Sequence, residues 1–186
     1  QVDTLTPPGI PIETDSEVHH TNLYAYSQIN YRKPVSCTIG FSADFFQGGI
    51  IDQNQFNPKL GVTWTPFPDT VLRGAVLRAF KRTLLTNQTL EPTQVAGFNQ
   101  FFDDVEGTAS WRYGLAVDQK LTGDLYGGGE ISRRDLEVPF KDFSDPAAPV
   151  VKTVDWEERL ARAYLYWTPH SWWALHAEYQ FEELQR

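Results

Sequence analysis

The stretch NPKLGVTWTPFPDTVLRGAVLRAFKR, which runs from Asn57 to Arg82, contains two alternating segments separated by a turn. In the first segment Leu60, Val62 and Trp64 alternate with glycine or threonine, which is the period of a strand with one apolar face. Two prolines and an aspartate then interrupt the strand, because proline cannot donate a ladder hydrogen bond and aspartate favours turns. A second alternating segment starts at Leu72, so the stretch predicts a β-hairpin.

The same hairpin pattern recurs near the end of the chain. The run Trp64-Thr65-Pro66 is matched by Trp167-Thr168-Pro169, and the apolar residues Leu72 and Leu175 follow the two tryptophans at the same spacing. A repeated hairpin indicates a sheet built from similar units.

Eight extended segments are predicted, and their connections alternate between short and long. The first, third, fifth and seventh connections are tight turns, whereas the second, fourth and sixth are predicted as long loops over Gln47–Asn57, Lys81–Thr108 and Arg133–Asp155. Tight turns at one end and long loops at the other are typical of outer-membrane barrels, and about ten residues suffice for a tilted strand to cross the hydrocarbon. The predicted segments are Asn22–Tyr31, Val35–Phe46, Pro58–Thr65, Val71–Phe80, Ala109–Gln119, Leu125–Ser132, Trp156–Trp167 and Trp172–Phe181.

The alternation gives each segment one apolar face and one polar face. Ile39, Trp111 and Leu175 belong to an uncharged face, whereas Arg112 and His176 belong to the opposite, polar face. Alternation alone does not decide which face is inside, because a soluble sandwich would bury the apolar one. The aromatic residues favour a membrane, because they flank the short turns where an interfacial girdle would lie: Tyr31, Trp64, Trp167, Trp172 and Trp173.

Composition restricts the classes of function. The net charge of -8 and the pI near 4.9 argue against a nucleic-acid partner, and the mean hydropathy of -0.41 without a long apolar run excludes membrane-spanning helices. The single cysteine, Cys37, lies on the apolar phase and is expected to pack as a small hydrophobe. Residues 1–18 are rich in proline and are predicted to form a linker or loop, and residues 19–186 are predicted to form one barrel segment.

The order of motifs from Phe56 onward resembles the C-terminal barrel of TonB-dependent outer-membrane receptors. The N-P-K-L-G strand at Asn57, the turn into L-R-G-A at Leu72, and Leu90-Glu91-Pro92-Thr93 in the following loop carry this resemblance. A related group, in which such a barrel follows helical repeats, has the same pattern. The resemblance implies an outer-membrane location in a Gram-negative bacterium, contact with lipid and lipopolysaccharide, and TonB as a partner through parts outside this chain.

The predicted fold is therefore all-β, an antiparallel up-and-down outer-membrane β-barrel or an eight-strand portion of a larger one. The expected function is receptor-like or porin-like uptake or permeation of a small solute. The alternative is a soluble all-β glycan-binding module, because six tryptophans could stack on sugars.

The basic residues are the candidate contacts for an anionic solute or for lipopolysaccharide phosphates. The alternative is that they form salt bridges inside the barrel with Asp44, Asp118, Glu130 and Glu178. The candidates are Arg73, Arg78, Lys81, Arg82, Arg112, Arg133, Arg134 and Arg162.

No enzyme activity, cofactor or metal is expected. His176 and Glu178 share a face, but no serine or aspartate partner for acid–base chemistry can be identified beside them. Asp103, Asp104 and Glu106 could gather calcium, although their spacing matches no EF-hand loop.

Overall fold

The computed structural model describes residues 18–31, 34–48, 51–81, 91–100, 104–142, 144 and 150–186, which contain ten β-strands. Among these residues no helix is long and apolar enough to cross a membrane. The strands are β1 (Val18–Tyr31), β2 (Val35–Gly48), β3 (Ile51–Phe67), β4 (Thr70–Phe80), β5 (Gln94–Val95), β6 (Phe98–Asn99), β7 (Ala109–Lys120), β8 (Leu125–Asp142), β9 (Val150–His170) and β10 (Trp173–Gln185).

Eight of these strands form one antiparallel sheet in the order β1-β2-β3-β4-β7-β8-β9-β10. Each of these eight strands pairs with the next of the eight along the chain, which confirms the predicted all-β, up-and-down architecture. Across the described residues β1 and β10 are the two edges and do not pair with each other, so the sheet is open. The remaining strands, β5 and β6, pair only with one another.

Two of the three predicted long loops are wrong in extent, because the strands continue further. β2 pairs with β3 as far as Gly48 opposite Ile51, and β8 pairs with β9 as far as Asp142 opposite Val150. Polar residues alternate in these extensions and still form ladder hydrogen bonds, which the apolar pattern did not indicate. The connection after β4 stays long, as predicted. Of the predicted linker, only Val18 lies within the described residues, and it begins β1.

The sheet buries its polar face and exposes its apolar face. Asn57 and Lys59 of β3 are 0% and 4% exposed. In contrast, Leu60 of the same strand is 49% exposed, and Leu115 of β7 is 64% exposed. We call the face of Asn57 and Lys59 the inner face, and the face of Leu60 and Leu115 the outer face. The orientation that alternation left open is therefore polar side inward.

Residues 91–100 cover part of the inner face and are called the inner hairpin. Their strands β5 and β6 are joined by Ala96 and Gly97, which have φ angles of 48° and 85°. Val95 and Phe98 point at the sheet and are completely buried. Together with Ala75, Leu77, Ala79 and Ala116 they form the apolar cluster on this otherwise polar face.

Glycines of the sheet make room for large side chains on the inner face. A Cβ on Gly40 would lie 2.5 Å from the Tyr26 ring, and a Cβ on Gly128 would overlap the Tyr164 hydroxyl and ring. Gly128 is the middle residue of the run Gly127-Gly128-Gly129. The structure shows close packing at Gly128, which lets Tyr164 donate a hydrogen bond to Asp118 on β7.

We expect Gly128→Ala to destabilise the sheet by about 1–3 kcal/mol, because the new methyl group overlaps Tyr164 and lies 2.7 Å from the Val117 carbonyl oxygen. Gly129→Ala is the matched control, because its methyl group meets only the Arg162 carbonyl oxygen at an ordinary 3.6 Å. Denaturant unfolding measures both. Equal losses in the two variants contradict the close packing of Tyr164 over Gly128.

Candidate functional site on the inner face

The inner face of β1 to β3 holds a network centred on the buried carboxylate of Asp44. Asn22 and Asn57 donate hydrogen bonds to Asp44 over 2.8 and 2.7 Å, and His20 Nε2 lies 2.9 Å from it. Gln55 continues the network by donating to Asn57. These strands alternate polar and apolar residues, so polar side chains of neighbouring strands lie side by side on the inner face.

The inner face of β4 to β9 holds a second network of arginines and carboxylates. Arg112 donates to Glu130 over 3.0 Å, and Arg162 donates to the other oxygen of Glu130 over 3.1 Å. On the same row as Glu130, Arg73 donates to Asp118 of the next row over 2.6 Å. Because these charges are paired across adjacent strands, their burial leaves both signs compensated.

The candidate basic residues separate into two groups. Arg73, Arg112, Arg134 and Arg162 lie on the inner face, where each bonds a carboxylate, as the salt-bridge alternative anticipated. Of these, Arg162 is the most exposed, at 37% of its side chain.

The other basic candidates lie on the outer face or beyond β4. Arg133 is half exposed and pairs with Asp135 and Glu157, and Arg78 lies 5.8 Å from the Trp111 ring centroid. Lys81 follows β4, and Arg82 lies outside the described residues. The basic residues are therefore not one cluster.

The inner hairpin is bound to the sheet through Glu91 and two backbone carbonyls. Glu91 pairs with Lys59, both side chains being at least 97% buried, and accepts a hydrogen bond of 2.7 Å from Tyr26. Sequence reasoning missed Lys59 and Glu91 as a pair. The available signal was a lysine on the polar phase of a strand that is otherwise lined by small or amide side chains.

The guanidinium groups of Arg73 and Arg112 hold the rest of the inner hairpin. Arg73 donates to the Ala96 carbonyl over 3.1 Å, and Arg112 donates to the Asn99 carbonyl over 3.2 Å. Their guanidinium carbons lie 5.5 and 5.6 Å from the centroid of the Phe98 ring. Two of the predicted solute contacts therefore bind the chain's own backbone.

Next to β10 the inner face is open and aromatic. Tyr166 stacks on His176 with ring centroids 4.2 Å apart, and His176 Nε2 lies 3.5 Å from Glu178.

Asp104, a calcium candidate, instead pairs with Arg134, and Asp103 lies outside the described residues. Within the described part of the chain no cluster of three or more His, Cys, Asp or Glu residues could hold a metal ion.

The predicted interface aromatics lie at the tight-turn end of the sheet. Tyr31 and Trp64 share one hydrogen-bonded row through Val35, and both are exposed on the outer face. Trp167 is exposed near the turn after β7, where its indole N–H donates to Asp124 over 3.1 Å. Trp172 and Trp173 are also exposed at this end. An exposed row of amphipathic rings is what the girdle prediction requires.

Two hydrogen bonds hold the pKa of Asp124 below its usual range: one from the Thr122 hydroxyl at 2.6 Å and one from the Trp167 indole. A carboxylate whose pKa is lower in the folded state adds stability above its unfolded pKa and loses it as the pH falls through the folded pKa. We therefore expect Asp124→Asn to destabilise the protein at pH 7, and we expect the difference to shrink at an acidic pH below the usual range of an aspartate carboxyl group. Unfolding of both proteins at the two pH values measures this, and a pH-independent difference argues against the lowered pKa.

Comparison with known proteins identifies a fold but no family. No protein-family model matches the chain, and no curated protein sequence matches it significantly. Among solved structures the chain is similar to a chain of the FpvAI–pyocin S2 complex, a TonB-dependent receptor complex, with a TM-score of 0.64 and 11% sequence identity. The match covers 91% of this chain and 24% of that chain, so this chain spans about a quarter of its length. At this identity the likeness shows the fold alone, an antiparallel eight-stranded sheet similar to part of that barrel.

Proposed function

We propose that this chain forms part of a receptor-like β-barrel in the outer membrane of a Gram-negative bacterium and serves the uptake or permeation of a small solute. The observation that carries the proposal is a continuous band of exposed apolar side chains on the outer face. One hydrogen-bonded row of this band carries only apolar or small residues, which are exposed or partly exposed: Ile29, Cys37, Val62, Gly74, Leu115, Ile131, Ala161 and Phe181.

The band crosses the strands obliquely, as it does in a barrel with tilted strands. At the loop end the band reaches Phe45 on β2 but only Phe181 on β10. Phe181 lies on the same hydrogen-bonded row as Cys37 of β2. Cys37 is about 26 Å from Phe45 along β2, and the six strand spacings to β10 span about 29 Å. The resulting slope of about 40° agrees with the tilt of roughly 35–45° found in outer-membrane barrels.

On β8 the band ends where the apolar residues of the strand change from the outer face to the inner face. On β8 Ile131 is exposed on the outer face, but the next outward residues, Arg133 and Asp135, are charged. Beyond this point the apolar residues Leu136 and Val138 point inward and are 4% exposed. A strand that leaves lipid for water needs this reversal, because its outer face then meets water and its inner face becomes an ordinary core.

A ladder of ion pairs lies directly above the band. Arg133 pairs with Glu157 over 2.9 Å, and Arg159 pairs with the same carboxylate over 2.6 Å. Both arginines remain about half exposed. At the level of the lipid headgroups both arginines are suited to binding phosphates of lipopolysaccharide. Of the candidate basic residues, Arg133 and Arg78 lie on the outer face, so we assign the proposed lipid contacts to these two.

The soluble glycan-binding alternative requires the exposed band to lie in water. Soluble proteins rarely expose contiguous apolar patches beyond a few hundred Å². Four of the tryptophans, Trp64, Trp167, Trp172 and Trp173, are exposed at the tight-turn end, whereas Trp111 and Trp156 line one common pocket at the other end. Solute contact in the proposed barrel instead falls to the inner face, where Arg162, Tyr166 and His176 remain accessible.

Leu115→Arg tests the membrane assignment. Arginine at the centre of the band should destabilise the barrel protein in lipid vesicles by roughly 2–4 kcal/mol, whereas Glu137→Arg, on the outer face beyond the band, should change stability by no more than about 1 kcal/mol. Unfolding of the whole barrel protein from vesicles measures both. In a soluble protein both positions are exposed, so equal and small effects sink the membrane assignment.

Arg162→Ala tests the proposed solute path. Because Arg162 is the most exposed of the four inner arginines, its loss should lower the anion preference of the reconstituted barrel protein severalfold, whereas Arg162→Lys should retain most of that preference. Reversal potentials in a salt gradient give the selectivity. If Arg162→Ala leaves the reversal potential unchanged, Arg162 acts only as a structural partner of Glu130.

A further inference from the structure

We infer that the inner hairpin is a fixed constriction inside the barrel, which limits the size of the solutes that pass. This inference rests on the proposed function, because the inner face lines a lumen only if the outer face meets lipid. The sequence places residues 91–100 in a long loop at the outer end of the barrel, where such a segment would leave the lumen open. The structure instead places them against the inner face of β3, β4 and β7.

The hairpin fits the sheet by shape. A Cβ on Gly61 would lie 2.8 Å from Val95 and 2.9 Å from the Ala96 methyl group, and a Cβ on Gly114 would overlap the Phe98 ring. Glycine in the middle of a strand weakens the strand, so its presence at both contact points fits a close approach of a second segment. The sheet is therefore shaped to receive the hairpin.

The hairpin is also held by buried charge. Separating the partners of a buried ion pair is strongly unfavourable as long as either charge stays out of water. Undocking the hairpin takes Glu91 away from Lys59 and withdraws the Ala96 and Asn99 carbonyls from two guanidinium groups. These costs keep the hairpin docked, so it acts as a permanent part of the wall and not as a gate.

The turn of the hairpin is adapted to the same contact. Gly97 has a φ of 85°, which favours glycine, and a Cβ at this position would overlap the Arg73 guanidinium. The side facing away from the sheet is polar and uncharged: Thr93, Gln94 and Asn99 are exposed, and Gln94 donates to Asn99 over 2.9 Å. The constriction therefore selects hydrophilic solutes by size and hydrogen bonding, and charge selection falls to Arg162.

Two substitutions at neighbouring positions separate the effect of undocking the hairpin from the effect of adding a negative charge. Val95→Asp places a carboxylate on the buried side of the hairpin and should undock it, whereas Gln94→Asp adds the same charge on the exposed side and should leave it docked. In the whole barrel protein in planar bilayers, we expect Val95→Asp to raise single-channel conductance roughly twofold or more and to admit larger neutral polyethylene glycols. Gln94→Asp should keep the wild-type size limit for neutral polyethylene glycols, because the hairpin stays docked.

Thiol labelling reports docking directly and does not depend on conductance. In a Cys37→Ala background, Gln94→Cys should react with a membrane-impermeant maleimide, and Val95→Cys should be protected at least tenfold. Equal labelling of the two cysteines overturns the docked hairpin. Equal conductance and size limits for Val95→Asp and Gln94→Asp, with both proteins inserted, overturn the constriction but leave the barrel intact. Failure of the wild type to insert into bilayers instead rejects the proposed function.

Discussion

The pairing of buried polar groups on the inner face is the constraint on which the rest of the structure depends. A sheet can turn its polar side inward only if each charge and amide there finds a partner, because an unpaired buried charge costs several kcal/mol. Adjacent strands supply most partners, as Glu130 does for Arg112 and Arg162. Lys59 donates to Ser42 within the sheet and also pairs with Glu91 of the inner hairpin, which lies outside the sheet. The pairing of buried charges therefore determines both the lining of the inner face and the position of the inner hairpin.

Much of the fold could be predicted because it is local. Each hairpin pairs neighbouring segments, so alternation, turn residues and connection lengths together specify the strand order. The direction of the faces could not be read from the same pattern, since a period of two is identical for a sheet with an apolar core and one with an apolar exterior. The long-range contacts decide it. Asn57 is buried among amides and carboxylates, whereas Leu60 has no protein layer over it among the described residues.

The site was harder to predict than the fold, because its parts are distant in sequence. Arg112 and Glu130 were recognisable as polar-phase residues of neighbouring strands, but Glu91 lies 32 residues from Lys59 in a segment without alternation. Val95 and Phe98 therefore resembled ordinary loop residues. The indication that remained in the sequence was glycine at Gly61 and Gly114, in the interior of two strands on the polar phase. Such glycines mark places where something packs closely, without naming what packs there.

The misjudged loop lengths and the limit of the apolar band have the same physical cause. Strands were predicted to end where outward apolar residues end, as at Ile131, because that pattern defines a strand in lipid. Past Arg133 the strand continues, with its apolar residues on the other face. Leu136 and Val138 are then buried on the inner side, while the charged outer side is stable in water. One strand thus follows both burial rules in succession, and in the proposed barrel the change from one to the other marks the height at which the sheet leaves the membrane.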